Sequence, residues 1–167
     1  MRSIHFVLGG ARSGKSRYAE HLVQAEPGPW IYLATAEAWD DEMRARIAEH
    51  RARRPAGWTT IDAPLALPEA LRDNADAPVL VDCLTLWLTN LMLGDHDIAA
   101  ASRALTKALA GRRAPTVLVS NETGLGIVPD NALARRFRDA AGILHQSVAA
   151  SADSVVLMVA GLPMKVK

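Results

Sequence analysis

An α/β fold with a mainly parallel central sheet is predicted by three observations. Short, apolar, β-prone runs alternate with helical stretches along the chain. The first of these runs leads into Gly9–Ser16, GGARSGKS, which fits the pattern G-x-x-x-x-G-K-[ST] and opens a helix. A later run ends in a carboxylate, Asp82. Strands alternating with helices pack as a sheet with helices on its faces. With the glycine-rich junction between strand and helix, this becomes the three-layer arrangement of P-loop NTPases (RecA-like). At 167 residues the chain is expected to be one domain, 1–167, since domains run to about 100–200 residues.

The elements follow in order. Ile4–Leu8 is the first strand and Gly14–Gln24 the first helix; Glu26-Pro27-Gly28-Pro29 then turns the chain into a second strand, Trp30–Ala34. Asp40–Arg53 reads as a helix with well-ordered charges. Asp40 is placed to cap it, Asp41 and Glu42 sit in the first turn, and Arg51, Arg53 and Arg54 lie at its end, which suits the helix dipole. Arg54-Pro55-Ala56-Gly57 breaks it. Further on come a strand over Val79–Val81, a helix over Leu84–Leu93, a turn at Leu93-Gly94-Asp95 and a helix over Ile98–Ala110. Thr116–Val119, Asn131–Ala150 and Val155–Val159 complete the series as strand, helix and strand. Ligands of such sheets bind beyond the carboxyl ends of the strands. Gly9–Ser16, Ala34-Thr35-Ala36, Asp82 and Ser120-Asn121-Glu122 all follow strand ends, so one crevice can collect them.

Composition narrows the function. Half of the residues are hydrophobic and 22% charged, as in ordinary soluble domains. A net charge of +1 supplies no field to gather nucleic acid or an anionic membrane, so a small-molecule partner is expected. The single cysteine, Cys83, rules out an internal disulfide. It reads as an inert core thiol in an apolar strand. No apolar run is long enough to span a bilayer and no signal peptide is visible; a cytoplasmic location is expected.

The chemistry of the site begins with Gly9–Ser16. Gly9, Gly10 and Gly14 leave the backbone free to turn successive N–H groups inward, with Ala11, Arg12 and Ser13 completing the loop. Lys15 adds a positive charge, and the helix that follows presents its N-terminus to the same anion. Ser16 is a candidate ligand for Mg²⁺, and Asp82 is the form of strand-end carboxylate that holds the metal in such folds; the alternative for Asp82 is a turn residue. His50 admits two readings. It shares a helix face with Met43, Ile47 and Arg54, so it can be a packed core histidine. An imidazole bracketed by arginines is also what a nucleophile for phosphorus requires. Spacing alone leaves both open.

GGARSGKS, DDEMRARIAEHRARRPAGW at Asp40–Trp58, VDCLTLWLTNL at Val81–Leu91 and VSNETGLGIVPDNALARRFRDAAG at Val119–Gly142 together resemble the bifunctional adenosylcobinamide kinase and adenosylcobinamide-phosphate guanylyltransferase family of cobalamin (vitamin B12) biosynthesis. The resemblance runs nearly end to end and closes on Ala160-Gly161-Leu162-Pro163. It implies a corrinoid substrate, adenosylcobinamide, phosphorylated with ATP or GTP. GTP then guanylylates a histidine, matched here by His50, and the substrate phosphate takes up the GMP to give adenosylcobinamide-GDP. By the same resemblance the nucleotide contacts map to Gly9–Ser16, Ala34, Thr35, Ala36, Arg51, Ala52, Arg53, Arg54, Asp62 and Asp82, the cofactors are GTP, ATP and Mg²⁺, and the enzyme is a homotrimer. Asp stands at 62 and 82 where some relatives carry Glu, and His145 stands where the family pattern has Asn; no role is assigned to His145 beyond surface or helix packing. The competing functions are a single-step P-loop small-molecule kinase, in which His50 is structural, and a nucleotide-dependent switch. The switch lacks its guanine-reading Asn-Lys-x-Asp motif here.

Overall fold

The computed structural model describes residues 2–37, 41–52 and 54–167, with Arg46 and His50 described by their backbone alone. In chain order the elements are β1 (Ile4–Gly9), α1 (Lys15–Gln24), β2 (Trp30–Ala34), α2 (Asp41–Ala52), β3 (Trp58–Asp62), α3 (Leu67–Asp73), β4 (Val79–Asp82), α4 (Leu84–Leu93), α5 (Ile98–Ala110), β5 (Thr116–Asn121), α6 (Ala132–Ser151), β6 (Ser154–Val159) and β7 (Leu162–Lys165). The seven strands form one sheet in the order β3-β2-β4-β5-β1-β6-β7. Every pairing is parallel except that of β6 with β7.

Side chains of successive strand residues point to opposite faces, and the sheet sorts its apolar residues accordingly. Ile4 and Phe6 of β1, Leu33 of β2, Val79 and Val81 of β4 and Leu118 of β5 pack with α3, α4, α5 and α6 on one face. Val7, Tyr32, Leu80, Val117 and Val119 turn to the other face, where Ala19 and Val23 of α1 cover them. Both faces are therefore covered and the central strands read as continuous apolar runs. Trp87 is fully buried in the larger core and its indole N–H donates to the Leu65 carbonyl at 3.0 Å. Arg112 is buried too. Its guanidinium donates to Thr116 Oγ1 and to the carbonyls of Leu71, Asn74 and Ala77, tying the end of α3 and the turn after it to β5. Burial pushes it down to about 10.

The α/β reading and the parallel sheet hold, and most predicted elements match within a residue or two. Three elements fall outside that reading. β3 carries WTTID at the sheet edge, half-exposed and without an apolar run. α3 is seven residues long, too short to display a helical period, with Pro68 tolerated in its first turn. β7 is exposed throughout. Cys83 is not in a strand. It caps α4 in an extended conformation, still buried and free; burial, then the Asp82 charge, pushes its thiol up to about 11, which keeps it inert. Asp40, the expected cap of α2, lies outside the described residues, as does Arg53.

Candidate nucleotide site

β1 delivers the chain to Gly9, which pairs with Asn121 of β5 on one side and Met158 of β6 on the other. Gly14 then takes a left-handed conformation, φ 88°, as the residue that starts α1, and a side chain there would be strained. Gly10, Ala11, Arg12 and Gly14 face solvent while Ser13 and Lys15 are buried. The Ser13 carbonyl accepts from Gly161 N at 3.0 Å, so the β6–β7 turn props the loop from behind. Its Oγ is buried with no hydrogen-bond partner among the described residues. The Lys15 ammonium donates to the Gly10 carbonyl at 2.7 Å, folding the charge back over the loop. Burial lowers its pKa, against the opposing fields of Cys83 and Asp82. A glycine-rich turn between a strand and a helix N-terminus, with a cation laid across it, is suited to an anion.

Beneath the loop stands Asp82 at the end of β4. Its Oδ2 accepts from Ser16 Oγ at 3.0 Å and from the Tyr32 hydroxyl at 2.9 Å. Burial, then the adjacent carboxylate, raises the Tyr32 phenol far above its ordinary value, so it stays a donor. A hydroxyl and a carboxylate are hard oxygen ligands of the kind Mg²⁺ prefers. Among the described residues no group of three or more His, Cys, Asp and Glu could hold a metal. With two such ligands the donor set fits Mg²⁺ whose shell phosphate oxygens and water would complete.

Beyond the loop opens a cleft of about 310 Å³, into which Ser16, Ala34, Ala36, Arg51, Arg54 and Asp82 all face. Six predicted residues are thus brought together. Met43, Ile47 and Arg51, four residues apart on α2, turn one face of that helix to the same cleft. No described side chain of α2 is buried. The helix hence lends its apolar stripe to the cleft and not to the core. Arg51 pairs with Asp62 at 2.8 Å, so these two predicted contacts meet each other at the mouth. Arg54 lies with its guanidinium carbon 3.5 Å above the Tyr32 ring and donates to Thr60 Oγ1 at 3.2 Å. Ala52 is exposed. The His50 side chain lies outside the described residues; its backbone belongs to α2, one residue before Arg51.

Thr35 is different. Its side chain is fully buried, accepts from Cys83 N at 2.8 Å and donates to Cys83 O at 2.7 Å, while Asn90 Nδ2 donates to its carbonyl at 2.8 Å. It fastens the end of β2 to the start of α4. Tyr32 and Asn121 line the cleft as well. Tyr32 precedes Ala34 by two on β2, so the period of a strand places both on one face and was a usable signal. Leu86 of α4 also lines it, and nothing in its apolar helix distinguished it. An apolar cavity of about 430 Å³ between α4 and α6, lined by Met92, Leu93, Leu133 and Phe137, is larger and holds none of the predicted residues. Size does not locate the chemistry here.

A mainly parallel sheet whose first strand leads into a glycine-rich loop crossed by a lysine, with a hydroxyl and a strand-end carboxylate beside it, defines a P-loop nucleotide-binding protein. The chain belongs to the cobinamide kinase / cobinamide phosphate guanyltransferase family, whose family model matches residues 5–166. It is 55% identical over 166 residues to the bifunctional adenosylcobalamin biosynthesis protein CobP of Pseudomonas aeruginosa, covering 96% of this chain and 95% of that one. It is 43% identical to the bifunctional adenosylcobalamin biosynthesis protein CobU of Salmonella typhimurium and 42% identical to that of Escherichia coli, covering 96% of this chain and 98% of the relative in each case.

Proposed function

We propose that this chain, as one domain spanning 1–167, carries out both reactions of its family on adenosylcobinamide. The observation that carries the reading is that Ser16, where the phosphate loop meets α1, Asp82, and Arg51 and Arg54 at the end of α2 open on one cleft. A nucleoside triphosphate bound there can give up its γ-phosphoryl group in one turnover, and a second, GTP, can be attacked at its α-phosphorus in the next.

In the first reaction the loop amides and Lys15 hold the β- and γ-phosphates of ATP or GTP. The substrate hydroxyl attacks the γ-phosphorus, the bond to the β-phosphate oxygen breaks and leaves the diphosphate, and the hydroxyl proton passes to solvent water. Such a transfer is accomplished by positioning and charge neutralisation. Lys15 must leave the Gly10 carbonyl to reach phosphate, an exchange of one acceptor for a charged one. Ser16 and Asp82 would hold Mg²⁺ together with the nucleotide, and the ion would supply further neutralisation of phosphate charge. In the second reaction attack falls on the α-phosphorus of GTP. His50 bonds to it through neutral imidazole, pyrophosphate leaves, and a phosphate oxygen of the substrate then displaces the imidazole to give adenosylcobinamide-GDP. Arg51 and Arg54 neutralise the phosphates near that centre, and a covalent step divides one displacement between two anions into two.

Family likeness extends the proposal to a homotrimer in the cytoplasm. Leu125, Ile127 and Val128, all exposed on the loop before α6, are apolar surface that subunit contacts would cover. Purified protein given adenosylcobinamide and ATP should yield adenosylcobinamide phosphate, and added GTP should convert it to adenosylcobinamide-GDP with release of pyrophosphate. Absence of both products by mass spectrometry would overturn the proposal, and absence of the second alone would reduce it to a kinase.

A further inference from the structure

We infer that Tyr32 is a positioning residue that ties Arg54 to the Asp82 carboxylate, so that anion capture at the α2 end of the cleft and metal capture at the phosphate loop reinforce each other. The inference rests on the nucleotide reading of the cleft and gives it a link between the two ends.

Tyr32 stands in the buried part of β2, with its ring held between two neighbours. The Arg54 guanidinium lies over one face, 3.5 Å from the centroid, and Trp58 meets the ring edge-on at 6.1 Å. From that position the phenol reaches Asp82 Oδ2 at 2.9 Å, the same oxygen that accepts from Ser16. Two donors on one oxygen fix the plane of the carboxylate and leave Oδ1 as the oxygen for a metal. Partners of this kind, one bond removed from a metal, set the orientation of the group that binds it.

The other end of the connection is incomplete. Arg54 spends Nη2 on Thr60, at 3.2 Å, and its Nη1 is buried without a hydrogen-bond partner among the described residues. A buried guanidinium N–H left unpaired is unfavourable and is satisfied best by an anionic oxygen. Phosphate bound there would draw Arg54 into a fixed place over the Tyr32 ring. The ring in turn has one place from which its hydroxyl meets Oδ2. Coupling between two ligands is reciprocal, so a metal at Asp82 must favour the anion at Arg54 by the same factor.

The test is a double-mutant cycle on Mn²⁺ affinity, read by electron paramagnetic resonance on the full chain at saturating GTP analogue with a β,γ-imido bridge. Neither corrinoid nor turnover is involved, so the result does not depend on the substrate assignment. Tyr32→Phe keeps the ring and its stacking and removes only the hydroxyl; it should weaken Mn²⁺ binding about tenfold, the scale of such second-layer effects. Arg54→Ala should weaken it in the wild-type background and add little in the Tyr32→Phe background, because the route through the phenol is already cut. Arg54→Lys, which retains charge without the planar stack, should behave as Arg54→Ala and serves if the alanine variant unfolds. Unchanged affinity in Tyr32→Phe, or losses from the two sites that simply add, would overturn the inference.

Discussion

At Asp82 one carboxylate oxygen answers to two donors, Ser16 and Tyr32, and the local chemistry follows from that. Asp82→Asn should leave β4 in place, since its partners Ala34 and Val119 are joined through backbone. It removes the one negative charge in the donor set, so the Mg²⁺ concentration needed for half-maximal phosphorylation should rise about tenfold or more; an unchanged Mg²⁺ dependence would return Asp82 to a turn residue. Lys15→Ala takes away the buried cation laid across the loop and should lower phosphorylation by at least about a hundredfold, with thermal stability retained. Thr35 divides contact from scaffold. Resemblance grouped it with the nucleotide contacts, yet its hydroxyl is spent on both backbone groups of Cys83. Thr35→Val should cost about 1–3 kcal/mol of stability by orphaning the Cys83 N–H, measurable by urea denaturation. A fully stable variant with weakened nucleotide binding would show direct contact instead.

At the scale of elements the sequence was most legible where a rule of backbone chemistry operates. Gly9–Ser16 had to follow a strand and open a helix, and it does. The strands alternating apolar residues between two covered faces were legible for the same reason. α2 was read correctly as a helix, but its Met43 and Ile47 suggested a core face, and they line the cleft. Periodicity reports that a helix has an apolar stripe and is silent on whether a neighbour or a ligand covers it. Tyr32 escaped because it belongs to no motif, although it shares a strand face with Ala34; Asn121 was expected in the crevice from its place after a strand, and it lines the cleft. His145 of α6 was read as a surface or packing residue and is a buried partner, its Nε2 2.8 Å from Ser120 Oγ and its ring edge-on to Phe6. Burial lowers its pKa. The unfolded chain then binds the extra proton first as pH falls, so this contribution is complete above about 6.5 and is lost as pH drops through the lower folded value. His145→Gln should flatten the decline in stability between pH 7 and 5, and an unaltered slope would mean that other groups govern it.

Taken whole, the molecule places every strand end that carries a site residue on one edge of a sheet whose two faces are closed by helices. β7 is the one antiparallel strand, and the turn leading to it supports the phosphate loop through Gly161 and Ser13. Gly161 has φ 81°, so Gly161→Val should strain that turn and weaken triphosphate binding more than it lowers melting temperature; equal losses would make the turn merely structural. The arrangement gives one cleft two chemical ends, a loop suited to the terminal phosphates and an arginine-bearing helix that also carries His50. Two reactions in one cleft are the central claim, and covalent guanylylation is the step that a simple kinase would not perform. The most direct measurement is transfer of label from α-labelled GTP to protein, followed by gel separation, in wild type and His50→Ala. Wild type should take up an acid-labile, base-stable label, and His50→Ala should take up none while still phosphorylating adenosylcobinamide; a folded His50→Ala that forms the labelled adduct would contradict the account.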